Sequence, residues 1–291
     1  MKSVALVTWK GYPKLFDGDK LLIEPFRKRG FVPIAIPWDK KDIDWTDFDI
    51  VILRSCWDYH TRLKEFYSWI DQCIEKKVNL WNPPEIIRWN TDKSYLFNLQ
   101  KIGIPIMPTL LCTKDSIDET RNNAILAGWK NIIIKPIHGA SSYKTFRINT
   151  AEFTTSNPTL SNLFSNENIL IQPFMEEIIT EGEYSFIFIN KEYSHAILKV
   201  PQKNEFRSQR EFGGKEIAVN PSQSLISQSQ KVLENIYSPL LYARVDGLNI
   251  RGQFQLMELE LTEPYLFFEK KGNSEEKFVN SAINLSGNST L

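Results

Sequence analysis

Glu258 and Glu260 stand two residues apart in the alternating segment Leu256-Met257-Glu258-Leu259-Glu260-Leu261. Successive side chains of a strand point to opposite faces, so both carboxylates share one face and the leucines Leu259 and Leu261 share the other. Arg244 and Asp246 have the same spacing on a preceding segment, and Arg251-Gly252 lies between the two segments. A hairpin centred on Gly252 sets Asp246 opposite Glu258 and Arg244 opposite Glu260. Carboxylates placed directly opposite each other destabilise a sheet. A divalent cation would relieve this, and hard oxygen donors suit Mg²⁺ or Mn²⁺. A solvated polar face with Arg244 as partial counter-charge is the other reading of the same spacing.

Lysines form the second signal. Lys135 closes the apolar run Ile132-Ile133-Ile134 and precedes the small-residue stretch His138-Gly139-Ala140-Ser141-Ser142. Such a loop can bring backbone N–H groups and hydroxyls close to an anion, or be an ordinary turn. Neither GxxxxGK[ST] nor GxGxxG occurs, so the standard phosphate fingerprints are absent. Asn90-Thr91-Asp92-Lys93 reads as the capped start of a helix over 92–101, stopped by Gly103 and Pro105. On that reading alone Lys93 is an exposed lysine. Arg54, Trp57, Asp58 and Tyr59 follow the apolar segment 49–54, at the strand end where ligand sites of parallel sheets open. Arg54 could hold a carboxylate there and Asp58 an amine, or the group could simply cap the strand. His60, His138 and His195 show no metal-ligand spacing.

The elements that must position these residues follow from periodicity. Strands are expected at 4–8, 32–36 and 49–54, and helices at 21–29 and 63–78. Residues Leu63, Phe66, Tyr67, Ile70, Cys73 and Ile74 fall on one helical face. The alternation predicts a small parallel sheet with right-handed crossovers. After Asn82-Pro83-Pro84 strands dominate: 132–135, 169–172, 184–189 and 193–200, the last two joined by a turn at Asn190-Lys191. The polar stretch 222–230 leads into a helix ending near Tyr237, and 242–250 and 254–261 form the carboxylate-bearing hairpin. A weak apolar segment covers 278–285, and the last residues are expected to fray.

Composition bounds the partners. The 291 residues carry 35 basic and 35 acidic side chains, so no global charge draws the chain to nucleic acid or an anionic membrane. Three scattered cysteines without a CxxC suggest neither zinc nor a disulfide framework and fit a reducing cytoplasm. No stretch approaches the ~20 apolar residues of a membrane helix.

Taken in order, the motifs resemble the ATP-grasp superfamily: Asn-x-x-Lys, a Gly-Ile-Pro, a strand ending in Lys-Pro with a small-residue loop, Ile-Gln-Pro-Phe-Met, Glu-Gly-Glu, Gly-Gly at 213–214, then Asp and Glu-x-Glu on two late strands. The similarity spans about 85–268 and is strongest to the bacterial glutathione synthetase branch and its D-cycloserine synthetase-like relatives. Leu53-Arg54-Ser55-Cys56-Trp57-Asp58-Tyr59 resembles the same relatives.

The resemblance implies an α/β ATP-grasp fold in three parts: a Rossmann-like N-terminal domain at 1–88, a central lid subdomain at 89–171 and a C-terminal subdomain with the metal site at 172–291. It implies ATP and two Mg²⁺ or Mn²⁺ ions on Asp246, Glu258 and Glu260. Lys93 and Lys135 would meet the phosphates, Lys135 also lying near the adenine. Ser141 and Ser142 would belong to the lid, and Gln172, Pro173, Phe174 and Met175 to the linker beside the adenine edge. Glu183 would hold the ribose. Lys199 and Arg207 would face the transferred phosphoryl group, with Arg207 or Arg244 near the oxyanion. Where glutathione synthetase has Asn at the last ligand this chain has Glu260, and Lys199 replaces an Arg. The implied activity is a carboxylate–amine (or thiol) ligase working through an acyl phosphate on a small amino-acid-like substrate, as a cytoplasmic protein and a possible homo-oligomer. A small-molecule kinase or a non-catalytic ATP-binding protein would use the same nucleotide residues.

Overall fold

The computed structural model describes residues 1–157, 160, 163, 168–203 and 205–287. The expected fraying of the tail falls mostly on 288–291, outside the described residues.

The first sheet is parallel, in order β2-β1-β3-β4, from β1 (Lys2–Thr8), β2 (Phe31–Pro37), β3 (Ile50–Ser55) and β4 (Leu80–Trp81). Its apolar runs are divided by the strand period. Val4, Leu6, Ile50 and Ile52 join one core, while Ala5, Val7, Val51 and Leu53 join the other. Helix α1 (Asp17–Lys20) and helix α2 (Ile23–Lys28) lie early in the chain; Phe26 of α2 enters the first core, and α3 (Leu63–Glu75) lays Phe66, Trp69, Ile70 and Cys73 into the second. The weak apolar segment near the C-terminus is helix Ser274–Leu285, whose Phe278, Val279, Ala282 and Ile283 complete the first core. The two ends of the chain therefore share one interior.

The expected helix over 92–101 is α5 (Tyr95–Lys101), starting three residues later than expected, and a helix that the sequence reading did not expect, α4 (Pro84–Thr91), precedes it. Pro84 occupies the first turn of α4, where its missing N–H costs no hydrogen bond. Asn90 and Thr91 consequently lie inside a helix instead of capping one. Asp92 turns extended after α4 and accepts from the Ser94 N–H at 2.8 Å.

The middle sheet, in order β5-β8-β6-β7, holds β5 (Leu110–Cys112), β6 (Asn131–Pro136), β7 (Phe146–Asn149) and β8 (Ile169–Pro173), all antiparallel and packed on α6 (Ile117–Leu126). The third sheet, β11-β10-β9-β12-β13, is also antiparallel: β9 (Glu183–Ile189), β10 (Glu192–Val200), β11 (Lys215–Val219), β12 (Tyr242–Ile250) and β13 (Gln253–Glu260). The turns at Asn190-Lys191 and Arg251-Gly252 each have two consecutive left-handed residues, the geometry of a tight hairpin. Among the described residues no helix is long and apolar enough to cross a membrane.

Candidate active site

The hairpin adopts the register that the spacing predicts: Asp246 pairs with Glu258 and Arg244 with Glu260, with an irregularity just after Asp246. β13 is the last strand of its sheet, and its outer edge is covered by side chains. The buried Asn90 amide donates to the Leu259 carbonyl and accepts from the Leu261 N–H, both at 2.7 Å. Tyr95 Oη accepts from the Leu259 N–H at 2.8 Å. The Gly-Ile-Pro segment also docks here, since the Met107 N–H donates to the Leu256 carbonyl at 2.8 Å and the Leu256 N–H to the Pro105 carbonyl at 2.9 Å. The backbone on either side of Glu258 is thereby fixed, and Asn90 owes its position to that edge.

The carboxylates lie in a cleft between the middle and third sheets, and each holds a cation. Arg244 Nε donates to both Asp246 oxygens at 3.0 Å, and its other donors reach Glu260 and the Tyr265 carbonyl (3.1 Å). Lys199 Nζ bridges Glu183 Oε1 at 3.0 Å and Asp246 Oδ2 at 3.1 Å. Ser185 Oγ donates to Asp246 Oδ1 at 2.6 Å, and Ser208 Oγ to Glu183 Oε2 at 2.6 Å. Lys93 Nζ lies 3.1 Å from Glu258 Oε1 and also donates to the Gly139 carbonyl, which ties the small-residue loop to the hairpin.

These contacts set the protonation states. Burial opposes the charge on Asp246, but Arg244 and Lys199 hold its carboxyl at about 2. Burial likewise opposes the Glu258 charge, and Lys93 with Lys135 outweighs it and keeps the carboxyl below its usual range. At Glu260 burial prevails over Arg244, and with Asp246 and Glu258 nearby the carboxyl rises to about 7. Burial lowers the Lys135 ammonium below its ordinary value. Lys199 goes the other way: burial disfavours its charge, but Asp246 and Glu183 raise it.

Of the residues singled out from sequence, Lys93, Lys135, Ser141, Ser142, Gln172, Pro173, Phe174, Met175, Glu183, Lys199, Arg207, Arg244, Asp246, Glu258, Glu260 and Trp57 all line this one cavity. Ser141 and Ser142 are both left-handed, and their N–H groups have no partner among the described residues. Two successive free donors on the cavity that Lys135 also lines make a concavity suited to an anion. Gln172 is buried and donates to Thr109 Oγ1 at 2.9 Å, and Phe174 carries the Arg147 guanidinium 3.6 Å over its ring. Arg207 is held by Glu205 at 2.8 Å and lies 3.6 Å over the Phe212 ring.

Arg54 and Asp58 are placed elsewhere, outside the cavity lining. Arg54 is 0% exposed; its Nε donates to Asp19 Oδ1 at 2.9 Å and its Nη2 to the Pro264 carbonyl at 2.7 Å. Asp58 accepts from Trp38 Nε1 at 2.9 Å and from Arg62 at 2.7 Å. An apolar strand brings alternate side chains to each face, and Arg54 falls on the face that the C-terminal helix covers.

Sequence reasoning missed the segment after β13. Four consecutive carbonyls there are each taken by a different side chain: Glu263 by Trp57 Nε1 (3.1 Å), Pro264 by Arg54, Tyr265 by Arg244 and Leu266 by His195 Nε2 (3.0 Å). It also missed Glu263 itself, a cavity residue only 6% exposed. Burial and the nearby Glu260 charge push the Glu263 carboxyl well above the usual range. An acidic residue directly before Pro264, at the end of a strand with two others, was the available signal.

Among the described residues no three acidic, cysteine or histidine groups converge into a metal cage. Mg²⁺ does not require one, because it takes one or two carboxylates and completes its shell with phosphate oxygens and water. Asp246, Glu258 and Glu260 supply hard oxygen donors on one cavity wall, so the donor chemistry fits such an ion.

Two family models cover most of the chain. Residues 4–82 match the N-terminal domain of D-cycloserine synthetase DcsG, and residues 100–269 match the ATP-grasp domain of prokaryotic glutathione synthetase. The chain is 27% identical over 261 residues to the cycloserine biosynthesis protein DcsG of Streptomyces lavendulae, covering 84% of this chain and 86% of that protein. The crystal structure of D-cycloserine synthetase DcsG superposes with a TM-score of 0.87 at 24% identity, covering 98% of this chain and 99% of that one. The ATP-grasp ligase PsnB, complexed with a precursor variant, Mg and ADP, gives a TM-score of 0.67 at 16% identity, with coverage of 98% and 99%. The expected α/β fold with a parallel N-terminal sheet is the fold observed.

Proposed function

This chain belongs to the prokaryotic glutathione synthetase ATP-grasp family, whose domain matches more than half of it, and from that premise we propose that it joins a carboxylate to an amine on a small amino-acid-like substrate through an acyl phosphate. The observation that carries this reading is the meeting of three lysines, Lys93, Lys135 and Lys199, with Asp246, Glu258 and Glu260 on the walls of one cleft.

A carboxylate does not react with an amine in neutral water, because its oxygen is a poor leaving group. In the first step a substrate carboxylate oxygen attacks the γ-phosphorus of ATP and ADP departs. In the second the amine attacks the acyl carbon, phosphate departs and the amine loses a proton. Both reactants of the first step are anionic, so the site's main task is to neutralise charge. Asp246, Glu258 and Glu260 would hold the metal, two ions in this reading. Bound metal supplies electrostatic stabilisation of phosphate oxygens.

The chain's own residues do the rest. Lys93, Lys135 and the N–H groups of Ser141 and Ser142 bind phosphate oxygens. Gln172 to Met175 lie along the adenine, and Glu183 accepts the ribose hydroxyls. Glu183 already receives Lys199 and Ser208, but a carboxylate has about four acceptor sites, which leaves room. Lys199 and Arg207 face the transferred group, and Arg207 or Arg244 faces the oxyanion of the second step. The loop 139–142 excludes water from the acyl phosphate. It rests on the N-terminal domain, where Tyr143 meets the His60 ring at 4.7 Å.

The test is phosphate release from ATP and Mg²⁺ across pools of amino acids and small carboxylates, with Glu258→Gln alongside. Release that depends on both a carboxylate and an amine, and that falls at least ~100-fold in the variant, is expected. A stable phosphorylated product without an amine requirement would make the protein a kinase. ATP binding with no release from any pool would favour a binding protein.

A further inference from the structure

We propose that Glu263 anchors a primary ammonium group of the substrate, with Phe16, Trp57 and Tyr265 as the aromatic wall beside it; this rests on the ligase reading above and names how that site selects its substrate.

The argument begins with the unequal treatment of the carboxylates. Asp246, Glu183, Glu258 and Glu260 each have a lysine or arginine within ion-pair distance. Glu263 is buried, lines the same cavity and has no hydrogen bond or ion pair to its carboxylate among the described residues. A lone buried carboxylate is costly. The nearby cations cannot turn to it freely: Arg54 is closed on Asp19 and Pro264, Arg244 on Asp246, Glu260 and Tyr265, and Lys93 on Glu258 and Gly139. With those cations engaged, burial favours the protonated carboxyl in the free protein, and an ammonium from outside the chain would take that proton's place.

The position is also rigid. The carbonyls of residues 263 to 266 are held from both sides of the cleft by Trp57 and Arg54 of the N-terminal domain and by Arg244 and His195 of the third sheet. The backbone that carries Glu263 is thereby fixed before any ligand arrives, which lowers the ordering cost of recognition there.

The surroundings favour an organic cation over a metal ion. One carboxylate is a poor metal site, whereas aromatic rings stabilise ammonium groups. Phe16 packs against Trp57 at 5.0 Å and edge-on against Tyr265 at 5.1 Å, and all three line the cavity. Gly18 keeps Tyr265 in place, because a Cβ there would lie 2.5 Å from its ring.

The experiment measures binding by calorimetry to the full chain with AMP-PNP and Mg²⁺ present, for wild type, Glu263→Gln and Glu263→Asp. The probes are alanine, serine and glutamate in both configurations, each against its partner without the amine: propionate, 3-hydroxypropionate and glutarate. At least one amine-bearing probe should bind wild type about 10- to 100-fold more tightly than its partner, as expected for one charge-assisted hydrogen bond. In Glu263→Gln that preference should fall to within about 3-fold, in Glu263→Asp it should be partly retained, and AMP-PNP should bind both variants as it binds wild type. Full retention of the preference in Glu263→Gln overturns the proposal, as does a wild type that binds none of the amine-bearing probes better than its partner. Failure of wild type to bind AMP-PNP at all would instead sink the ligase reading on which the proposal depends.

Discussion

Two buried arginine–aspartate pairs, one on the first sheet and one on the third, do different work. Arg54 and Asp19 form a closed unit: Arg54 reaches Asp19 and the Pro264 carbonyl, Asp19 Oδ2 accepts from Ser55 Oγ at 2.6 Å, and the Tyr242 and Phe278 rings flank the guanidinium at 5.1 and 5.6 Å. Arg244 and Asp246 belong to an open network that includes Lys199, Glu183 and Glu260 and faces the cavity. The first pair is complete without a ligand. The second is a set of charges held apart by one another, which an incoming phosphate or metal can rearrange. Burial and pairing alone do not separate a structural ion pair from a functional one; whether the unit closes on itself does.

The comparison can be broken with matched substitutions. Arg54→Met leaves Asp19 buried without a counter-charge and should cost about 3–5 kcal/mol of stability, read from urea unfolding, with the KM for ATP unchanged in the folded fraction. If Arg54→Met instead raises KM with little loss of stability, Arg54 faces substrate after all. Arg244→Met should show the reverse emphasis, a turnover loss of about 10²- to 10³-fold measured by ADP release. Loss of stability without loss of turnover in that variant would make the two pairs alike.

A smaller effect sharpens the contrast through the segment that touches both arginines. His195 is buried, accepts or donates at Ser194 (3.0 Å), and binds the Leu266 carbonyl; burial lowers it to about 4. A histidine with a depressed value contributes stability above its unfolded value of about 6.5 and loses it as pH falls toward about 4. The full loss is about 3 kcal/mol. His195→Gln should flatten unfolding free energy against pH over that window, and an unchanged slope would remove His195 as the cause.

Much of this was legible in the chain. The period of two in Leu256 to Leu261 and the Arg251-Gly252 turn together fix the pairing of Asp246 with Glu258, because face and turn position are local properties. The apolar runs of the first sheet were equally readable. The short strands β5, β7 and β11 were not, since each is three to five residues long with little alternation, and they form by pairing with longer neighbours. The helix at 95–101 was readable, but α4 before it was not, because Asn90 looks like a cap in isolation, whereas its amide is fastened to a strand edge 171 residues away.

The sequence by itself determined which side chains share a face, where the hairpin turns, and the order of lysines and carboxylates that marks the family. Tertiary structure decided which charge neutralises which. Arg54 and Asp58 follow an apolar strand as a binding pair would, yet they lie outside the cavity that Arg244 and Asp246 line. Among the described residues Glu263 has no ion-pair partner, although Arg244, Lys93 and Arg54 all act on its charge. Those outcomes depend on contacts such as Arg54 to Pro264, 210 residues apart. Periodicity tells a side chain which face it takes, but only the packing of distant elements tells it what it meets there.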